Sequence, residues 1–366
     1  MSKKFSLEAL LGLYSIPTIG PSRMRKLISI FGSPEAVLDT SARQLKEIEG
    51  IDHKTISRIK EGPNEEFVKA QLEMMKEHEV QILTYWDKDY PARLKKIYDP
   101  PAFLFYKGNP KCFTDPAIGI VGTRVPSSYG KLITERFAAE LVENNFAIIS
   151  GFARGVDTIA HTTALKNKGI TIAVLGNGID LVYPAENKKL FSEMIARGLI
   201  VTEYPMGTNP DGGNFPKRNR IISGISVGVL IPEAGARSGA LITALYAVDQ
   251  DREVFCIPGP ITSGKSAGVN KLIKDGAKLV LGVDDILSEL NQQLNLNFEK
   301  KVQDAKDLNL SGHYKLVYEI LNHEPIHVDQ LAIQANLSPA ETLSALLTLE
   351  LMGVIRQMAG KMFIKL

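Results

Sequence analysis

Between residues 117 and about 290, short apolar runs alternate with longer segments of helical period. The runs lie at 117–121, 147–150, 171–175, 199–202, 227–231, 253–257 and 278–281. Near-continuous apolar strands separated by helices predict a parallel sheet covered on both faces. The fold class is therefore α/β, with a doubly wound, Rossmann-like parallel sheet. Right-handed crossovers then bring every strand-to-helix loop to the carboxyl edge of the sheet.

The flanks have other patterns. Residues 1–65 read as short helices with tight turns, and two segments look alike. Ile16-Pro17-Thr18-Ile19-Gly20-Pro21 precedes one helix and Ile48-Glu49-Gly50-Ile51-Asp52 precedes another. This resembles helix-hairpin-helix or SAM-like modules, whose glycines let backbone N–H groups approach a DNA phosphate. Thr18 and Asp52 stand where that pattern has glycine, and Asp52 would repel a phosphate. Direct DNA binding and a packing or protein-contact role both remain open for this module. Residues 66–290 form the extended central domain. It begins with a helix, a strand at 80–84 and an apolar stretch at 103–106 behind Pro100 and Pro101, which predicts an edge strand. Residues 291–311, rich in Asn, Gln and Lys, read as a linker. Residues 312–366 show helices near 313–321, 328–334 and 339–351, then short strands near 354–357 and 361–364. Such an order suggests a winged helix.

Charge narrows the picture. The chain has 366 residues and a net charge of only +2, so any nucleic-acid site must be a local patch. Cys112 and Cys256 lie in apolar surroundings, which argues for a reducing compartment. His323 and His327 are separated by Pro325, no zinc spacing occurs, and no stretch suits a membrane span. A cytoplasmic protein without metal or cofactor is expected.

The loops at the carboxyl edge carry the candidate chemistry. The first strand is followed by Gly122-Thr123-Arg124 and the second by Gly151-Phe152-Ala153-Arg154-Gly155. After the third come Gly176-Asn177-Gly178 and then Tyr183-Pro184. The fourth leads through Glu203-Tyr204-Pro205 to Asn214-Phe215-Pro216-Lys217-Arg218-Asn219-Arg220. The fifth is followed by Glu233-Ala234-Gly235-Ala236-Arg237-Ser238-Gly239. The stretch around Phe215 holds three cations and no acid, and it reads as a helix start capped by Asn214. Cations there oppose the helix macrodipole by about 0.3–1 kcal/mol each, so an anion is expected to neutralise them. Topology gathers Arg124, Arg154, Arg218, Arg220 and Arg237 at one edge. Phe152, Tyr183, Tyr204 and Phe215 are interleaved as stacking surfaces. Phosphate plus aromatic plates suggests nucleic acid or nucleotide.

Enzymatic readings fare less well. The dinucleotide fingerprint is missing, because the first loop has one glycine and the second strand ends without a ribose-binding acid. Residues 259–266 satisfy the pattern G-x-x-x-x-G-K-S letter for letter. That stretch follows the sixth strand of the domain, Pro260 adjoins the first glycine, and Gly268 weakens the helix that should begin there. Lys265 is expected to add to the basic edge instead. Asp180, Glu203 and Glu233 lie near strand ends and could assist metal or nucleosidase chemistry. Asp157 and His161, four apart, suggest a local pair rather than a ligand set. No activated Ser or Cys nucleophile is visible, so no catalytic residue is assigned.

The motifs together resemble the DprA/Smf family of DNA-processing proteins from bacterial natural transformation. The matching residues are 99–108, 119–124, 150–161, 174–184, Glu203-Tyr204-Pro205, 215–226, 232–243 and 258–277. The resemblance implies a non-enzymatic, cytoplasmic homodimer that binds single-stranded DNA, shields it and loads the RecA recombinase. It implies a DNA pocket at the Gly122–Arg124 and Phe215–Arg220 loops. Val269, Leu272 and Ile273 match its dimerising end of the sheet. The fold is also similar to nucleotide-processing Rossmann proteins of the lysine-decarboxylase-like group, in which a glutamate is catalytic. Here the helix after Gly239 carries no carboxylate from 240 to 248, and hydrolysis remains the alternative. In the winged helix, residues 338–351 contain Glu341 and Glu350 but no Lys or Arg. Leu343, Leu346, Leu347 and Leu349 are expected to serve packing, and Arg356, Lys361 and Lys365 to lie in the wing. A protein-contact or regulatory role is expected for that domain.

Overall fold

Polar caps set the start of the N-terminal helices. In a computed structural model, residues 5–294, 312–322, 326–351, 354–358 and 360–365 are described. Ser6 caps α1 (Leu7–Tyr14), and α2 (Pro21–Phe31) begins behind Gly20 with proline in its first turn. Ser33 caps α3 (Pro34–Asp39), and Ser41 forms a capping box with Gln44 on α4 (Ala42–Lys46). Asp52 caps α5 (His53–Glu61) and Asn64 caps α6 (Glu65–Glu77). Each cap satisfies a first-turn N–H that the helix itself leaves free, typically worth about 1 kcal/mol. Asp52 is therefore a structural acid. The Thr55 side chain and N–H together hold its carboxyl below the usual range, and Arg23 lies 3.9 Å away.

The central sheet has nine strands in the order β1-β2-β6-β5-β4-β3-β7-β8-β9. In chain order its elements are β1 (Gln81–Thr84), α7 (Ala92–Lys95), β2 (Phe103–Gly108), β3 (Ala117–Ile120), α8 (Ser128–Glu143), β4 (Ala147–Ser150), α9 (Val156–Lys166) and β5 (Thr171–Leu175). Then come α10 (Lys188–Arg197), β6 (Leu199–Thr202), α11 (Asn214–Ile225), β7 (Gly228–Ile231), α12 (Ala240–Asp249), β8 (Glu253–Cys256), α13 (Ala267–Lys274), β9 (Lys278–Leu279) and α14 (Val283–Leu294). Strands β3 to β9 pair in parallel, as the apolar runs predicted. The expected edge strand at 103–106 is internal instead. β2 pairs antiparallel with both β1 and β6, and β1 forms the edge. Phe103, Leu104 and Phe105 are buried accordingly. The prolines lie before the strand, where they cost no ladder bond. Helix α11 starts on the residue predicted to cap it. Gly213 is the N-cap, Asn214 is already helical, and no side chain caps the end.

Both faces of the sheet are covered, and the cores explain how the flanking helices are held. One cluster joins Leu10, Leu27 and Ile56 of the N-terminal helices to Phe105, Ala173 and Ile200 of the sheet. Gln71 on α6 fastens the same junction, donating to the Met206 carbonyl and accepting its N–H, both at 3.0 Å. Each fully buried aliphatic or Phe side chain contributes about 1.5–3 kcal/mol. Phe105→Ala would cost about 3–5 kcal/mol by opening that shared core. The second face buries Val121, Ile149, Ile221, Val229 and Val269.

Residues 1–289 form one compact unit and 290–366 another. Helix α14 runs on to Leu294, into the stretch read as a linker. Residues 295–311, the rest of that stretch, lie outside the described residues. In the second unit α15 (His313–Ile320), β10 (Ile326–His327), α16 (Val328–Ala335), α17 (Pro339–Leu351), β11 (Ile355–Met358) and β12 (Met362–Lys365) form three helices and a small sheet ordered β10-β12-β11. The two-residue strand β10 carried no periodic signal. On α17, Leu346 and Leu349 are buried, but Leu343 and Leu347 are 50% and 60% exposed rather than packed. The acids of α17 have local partners. Glu341 accepts the Ser338 N–H at 2.9 Å and Glu350 the Gln357 N–H at 2.9 Å. Lys361 is exposed in the wing turn, and Lys365 lies 3.9 Å from the Tyr318 ring centroid. The Arg356 side chain lies outside the described residues.

Candidate nucleic-acid interface

Strand order reverses between β3 and β7, and ligands of doubly wound sheets bind in the crevice at that point. A cleft of about 660 Å³ opens there. Its walls are the loop after β3, with Gly122, Thr123 and Arg124, and the loop after β7, with Arg237, Ser238 and Gly239. The first turns of α11 supply Phe215 and Asn219. Arg124 and Arg237 are exposed. No carboxylate lies within ion-pair distance of either among the described residues. Such cations favour an anion in the cleft.

An aromatic surface lies beside these cations. The Phe215 and Tyr183 rings stack with centroids 5.7 Å apart and planes at 24°. The Arg124 guanidinium sits 5.7 Å from the Phe215 ring centre. Gly176 makes room for this ring, because a Cβ there would lie 2.7 Å from Phe215 Cδ1. A smaller hollow of about 30 Å³ adjoins Phe215, lined by Gly151, Phe152, Arg154 and Asn177 among others.

Other expected site residues have structural duties. Arg218 is 5% exposed; its Nη1 donates to the carbonyls of Gly151, at 2.7 Å, and Val174, while Nε donates to Asn219 Oδ1 at 3.0 Å. It borders the cleft but mainly ties α11 to the loop after β4 and the end of β5. Burial lowers its pKa to about 10, so it stays cationic at neutral pH. Arg220 leaves the expected edge altogether. It pairs with Glu203 at 2.5 Å and with Asp99 at 3.9 Å, and their side chains are only 12% and 14% exposed for Arg220 and Glu203. Arg154 borders the hollow but makes a two-point ion pair with Glu186, at 2.6 and 2.8 Å.

Phe152 is no stacking plate either. It is 1% exposed and packs on Phe191 and His161, with φ at +60°. Asn177 is buried, donating to the carbonyls of Gly178 and Leu181, and the Gly178 N–H is taken by Thr208. That loop is closed on itself. Gly155 packs against the Thr123 carbonyl, and Gly235 lies beside the Gly264 carbonyl. Lys217 and Lys265 are exposed but do not line the cleft. Val269 is 1% exposed in its own core, so it cannot serve a dimer contact; Leu272 and Ile273 are half-buried.

Several contacts around the cleft had no local signal. Asp157 and His161 do not form the expected pair. Asp157 accepts the N–H groups of Gly151 and Ala153, whereas His161 Nδ1 bonds the Thr171 hydroxyl at 2.7 Å. Asp157 thus shapes the loop after β4, and burial pushes its carboxyl up to about 6 despite the nearby Arg218. Glu233 bonds Ser127, which is 106 residues away. In the G-x-x-x-x-G-K-S stretch the Ser263 and Ser266 N–H groups turn back to the Pro260 and Ser263 carbonyls, and just beyond it the Gly268 and Val269 N–H groups of α13 both point to the Ala234 carbonyl, which argues against an anion cradle.

Known proteins match this chain in sequence and fold. The family model of DNA recombination-mediator protein A matches residues 81–291. Protein Smf of Synechocystis sp. is 34% identical over 93% of this chain and 94% of its own length. The chain belongs to the DprA/Smf family. Its flanks match the SAM-like helix-hairpin-helix tandem over residues 9–62 and the DprA winged helix domain over 302–361. DNA processing protein DprA of Streptococcus pneumoniae is 46% identical over 56% of this chain and 72% of its own. The X-ray structure of that DprA superposes with a TM-score of 0.69 at 34% identity, covering 78% of this chain and 98% of that one. DNA processing protein A from Helicobacter pylori, described for its single-stranded DNA binding mode, gives 0.53 at 32% identity, covering 58% of this chain and 96% of that one.

Proposed function

We propose that this DprA/Smf protein binds single-stranded DNA in the cleft between the β3 and β7 loops. The observation that carries the proposal is the two guanidiniums of Arg124 and Arg237, without a carboxylate partner among the described residues, beside the stacked Phe215 and Tyr183 rings. Phosphates meet the cations, and bases meet the rings. Aromatic stacking is tolerant of base identity, so little sequence preference follows. In the cytoplasm the protein shields incoming strands and passes them to a RecA-type recombinase; the family description as a recombination mediator supports this step. A homodimer forms at the β9 end of the sheet, where Leu279 and Leu281 are exposed and Leu272 and Ile273 of the preceding α13 are half-buried. The chain acts by binding rather than by hydrolysis, since Glu203 and Glu233 are committed to internal partners.

Fluorescence anisotropy with a labelled thymidine homopolymer tests the proposal. Single strands are expected to bind more tightly than duplex, and ATP to change nothing. Neutralising about four to six phosphates gives a slope of log K against log salt of roughly −3 to −4. Equal affinity for duplex, or a flat salt response, would refute it.

A further inference from the structure

In a doubly wound sheet the turn after the first parallel strand usually receives a phosphate, on N–H groups at the start of the next helix. In this chain that seat is filled from within. Glu233, in the turn after β7, is 3% exposed. Its Oε2 accepts the Ser127 N–H at 2.7 Å, and its Oε1 accepts the Ser127 hydroxyl at 2.6 Å. Ser127 is the N-cap of α8, and its Oγ accepts the Gly130 N–H at 3.0 Å. The Glu233 backbone carbonyl accepts the Thr123 N–H at 2.8 Å. One residue thus holds both ends of the stretch that carries Arg124.

The packing around this clamp is tight. A Cβ at Gly130 would lie 2.4 Å from Glu233 Oε2, and one at Gly122 would lie 2.8 Å from the Glu233 carbonyl. The Thr123 carbonyl accepts the Val156 N–H at 3.2 Å, and a Cβ at Gly155 would lie 2.4 Å from it. The loop is therefore braced on the β7 side by Glu233 and on the β4 side by α9. The Arg124 carbonyl itself lies against Gly155, and its guanidinium projects from this stretch over Phe215.

We propose that Glu233 is a positioning residue for Arg124, its carboxylate occupying the phosphate seat at the start of α8 and fixing the loop that presents the guanidinium. This rests on the assignment of Arg124 to the strand-binding cleft. Two consequences follow from the bonding. Both carboxylate oxygens are engaged by Ser127, so Glu233 is not a free general base. A nucleotide phosphate cannot take the same seat, so strand phosphates are directed outward to Arg124.

The test is equilibrium anisotropy on the full-length protein with a labelled thymidine homopolymer, below the thermal transition of every variant. Arg124→Ala and Glu233→Ala are each expected to weaken binding about tenfold, and Glu233→Gln, which keeps size and an acceptor for the Ser127 N–H, to stay within about threefold of the parent. The double variant Arg124→Ala/Glu233→Ala should bind no more than about twofold worse than Arg124→Ala alone, because the clamp acts through that arginine. Unchanged affinity in Glu233→Ala, or losses that multiply in the double variant, would overturn the proposal. Unchanged affinity in Arg124→Ala would instead overturn the cleft assignment beneath it. Where Glu233→Ala does not fold, Ser127→Ala removes the hydroxyl arm of the clamp. It should then weaken binding in the parent but not on the Arg124→Ala background, and wild-type affinity in Ser127→Ala counts against the clamp.

Discussion

Helix α11 lies between two groups of arginines with opposite fates. On one side Arg220 meets Glu203 and Asp99, and Asp99 also lies 3.4 Å from Arg25 of α2. Arg25 adds a bond to the Pro100 carbonyl, so this chain of charges links the N-terminal helices to α11. On the other side Arg124 and Arg237 face the cleft without a carboxylate partner among the described residues. The difference lies in partners supplied by distant segments. Cations at a helix start point to an external anion only where the fold provides no internal one.

The largest expected effect breaks the closed side. Removing one member of a buried pair leaves the other uncompensated, which costs about 3–5 kcal/mol. Arg220→Ala is therefore expected to lower the urea midpoint sharply. The Glu203 contact makes this arginine a stabilising partner rather than one more like charge at the cationic edge. Burial already pushes the Glu203 carboxyl above its usual range, with Arg220 opposing, and Glu203 Oε1 and Arg220 Nη1 have no hydrogen-bond partner among the described residues. A midpoint unchanged in Arg220→Ala would show that this pair is not structural.

On the open side the effect should appear in affinity rather than stability. Phe215→Ala removes a stacking surface, so single-strand binding should weaken by about 1–3 kcal/mol with the salt slope intact. Arg237→Ala should do the reverse, reducing the slope by about 0.7 for one lost phosphate contact. If both variants change the slope equally, the division of the cleft into ring and cation parts fails.

The contrast also explains what the sequence could show. Strands such as Ala147–Ser150 and Thr171–Leu175 were legible because they are buried on both faces, which makes them continuous apolar runs. The cleft was legible through topology, since strand-to-helix loops must share the carboxyl edge. Arg124, Arg237 and Phe215 met there as expected. Arg220, Arg154 and Phe152 were misplaced for a common reason. Their partners at Glu203, Glu186 and Phe191 depend on how loops fold back, and a one-dimensional pattern does not encode that. The Glu233 clamp was hidden by the same distance.

Two buried titratable groups of α9, Asp157 and His161, give a smaller effect. Burial pushes Asp157 from 3.8 up to about 6 and His161 from 6.5 down to about 3. The Asp157 contribution to stability is complete below 3.8 and is lost as pH rises through about 6. The His161 contribution is complete above 6.5 and is lost as pH falls towards about 3. Between these limits the two slopes oppose each other, each about 1.4 kcal/mol per pH unit, and largely cancel. Asp157→Asn should therefore expose a stability that falls with acid, and His161→Gln one that rises with it. Urea midpoints measured across the interval check this, and parallel profiles for both variants would refute it.

The smallest effect is expected at Lys265, which separates a cation near the cleft from one that belongs to it. Lys265 is exposed in the loop before α13 and does not line the cleft. Its G-x-x-x-x-G-K-S pattern calls for backbone N–H groups that cradle phosphate, and here the Ser263 and Ser266 N–H groups turn back to the Pro260 and Ser263 carbonyls. The Gly268 and Val269 N–H groups are taken by the Ala234 carbonyl. Asn270 holds Gly259 at both ends, accepting its N–H at 3.2 Å and donating to its carbonyl at 2.9 Å. The loop is tied to its own helix, and Lys265 is left as a solvated charge, which rarely matters beyond a few tenths of a kcal/mol. Lys265→Ala is thus expected to change single-strand affinity by less than about twofold, or ~0.4 kcal/mol. Isothermal titration with ATP should show no difference between the variant and the parent. A nucleotide heat that vanishes in Lys265→Ala would mean that the loop opens in solution and frees the N–H groups of α13. The β8 end of the sheet would then join the cleft as a second anion site, and the boundary between closed and open cations would have to be redrawn there.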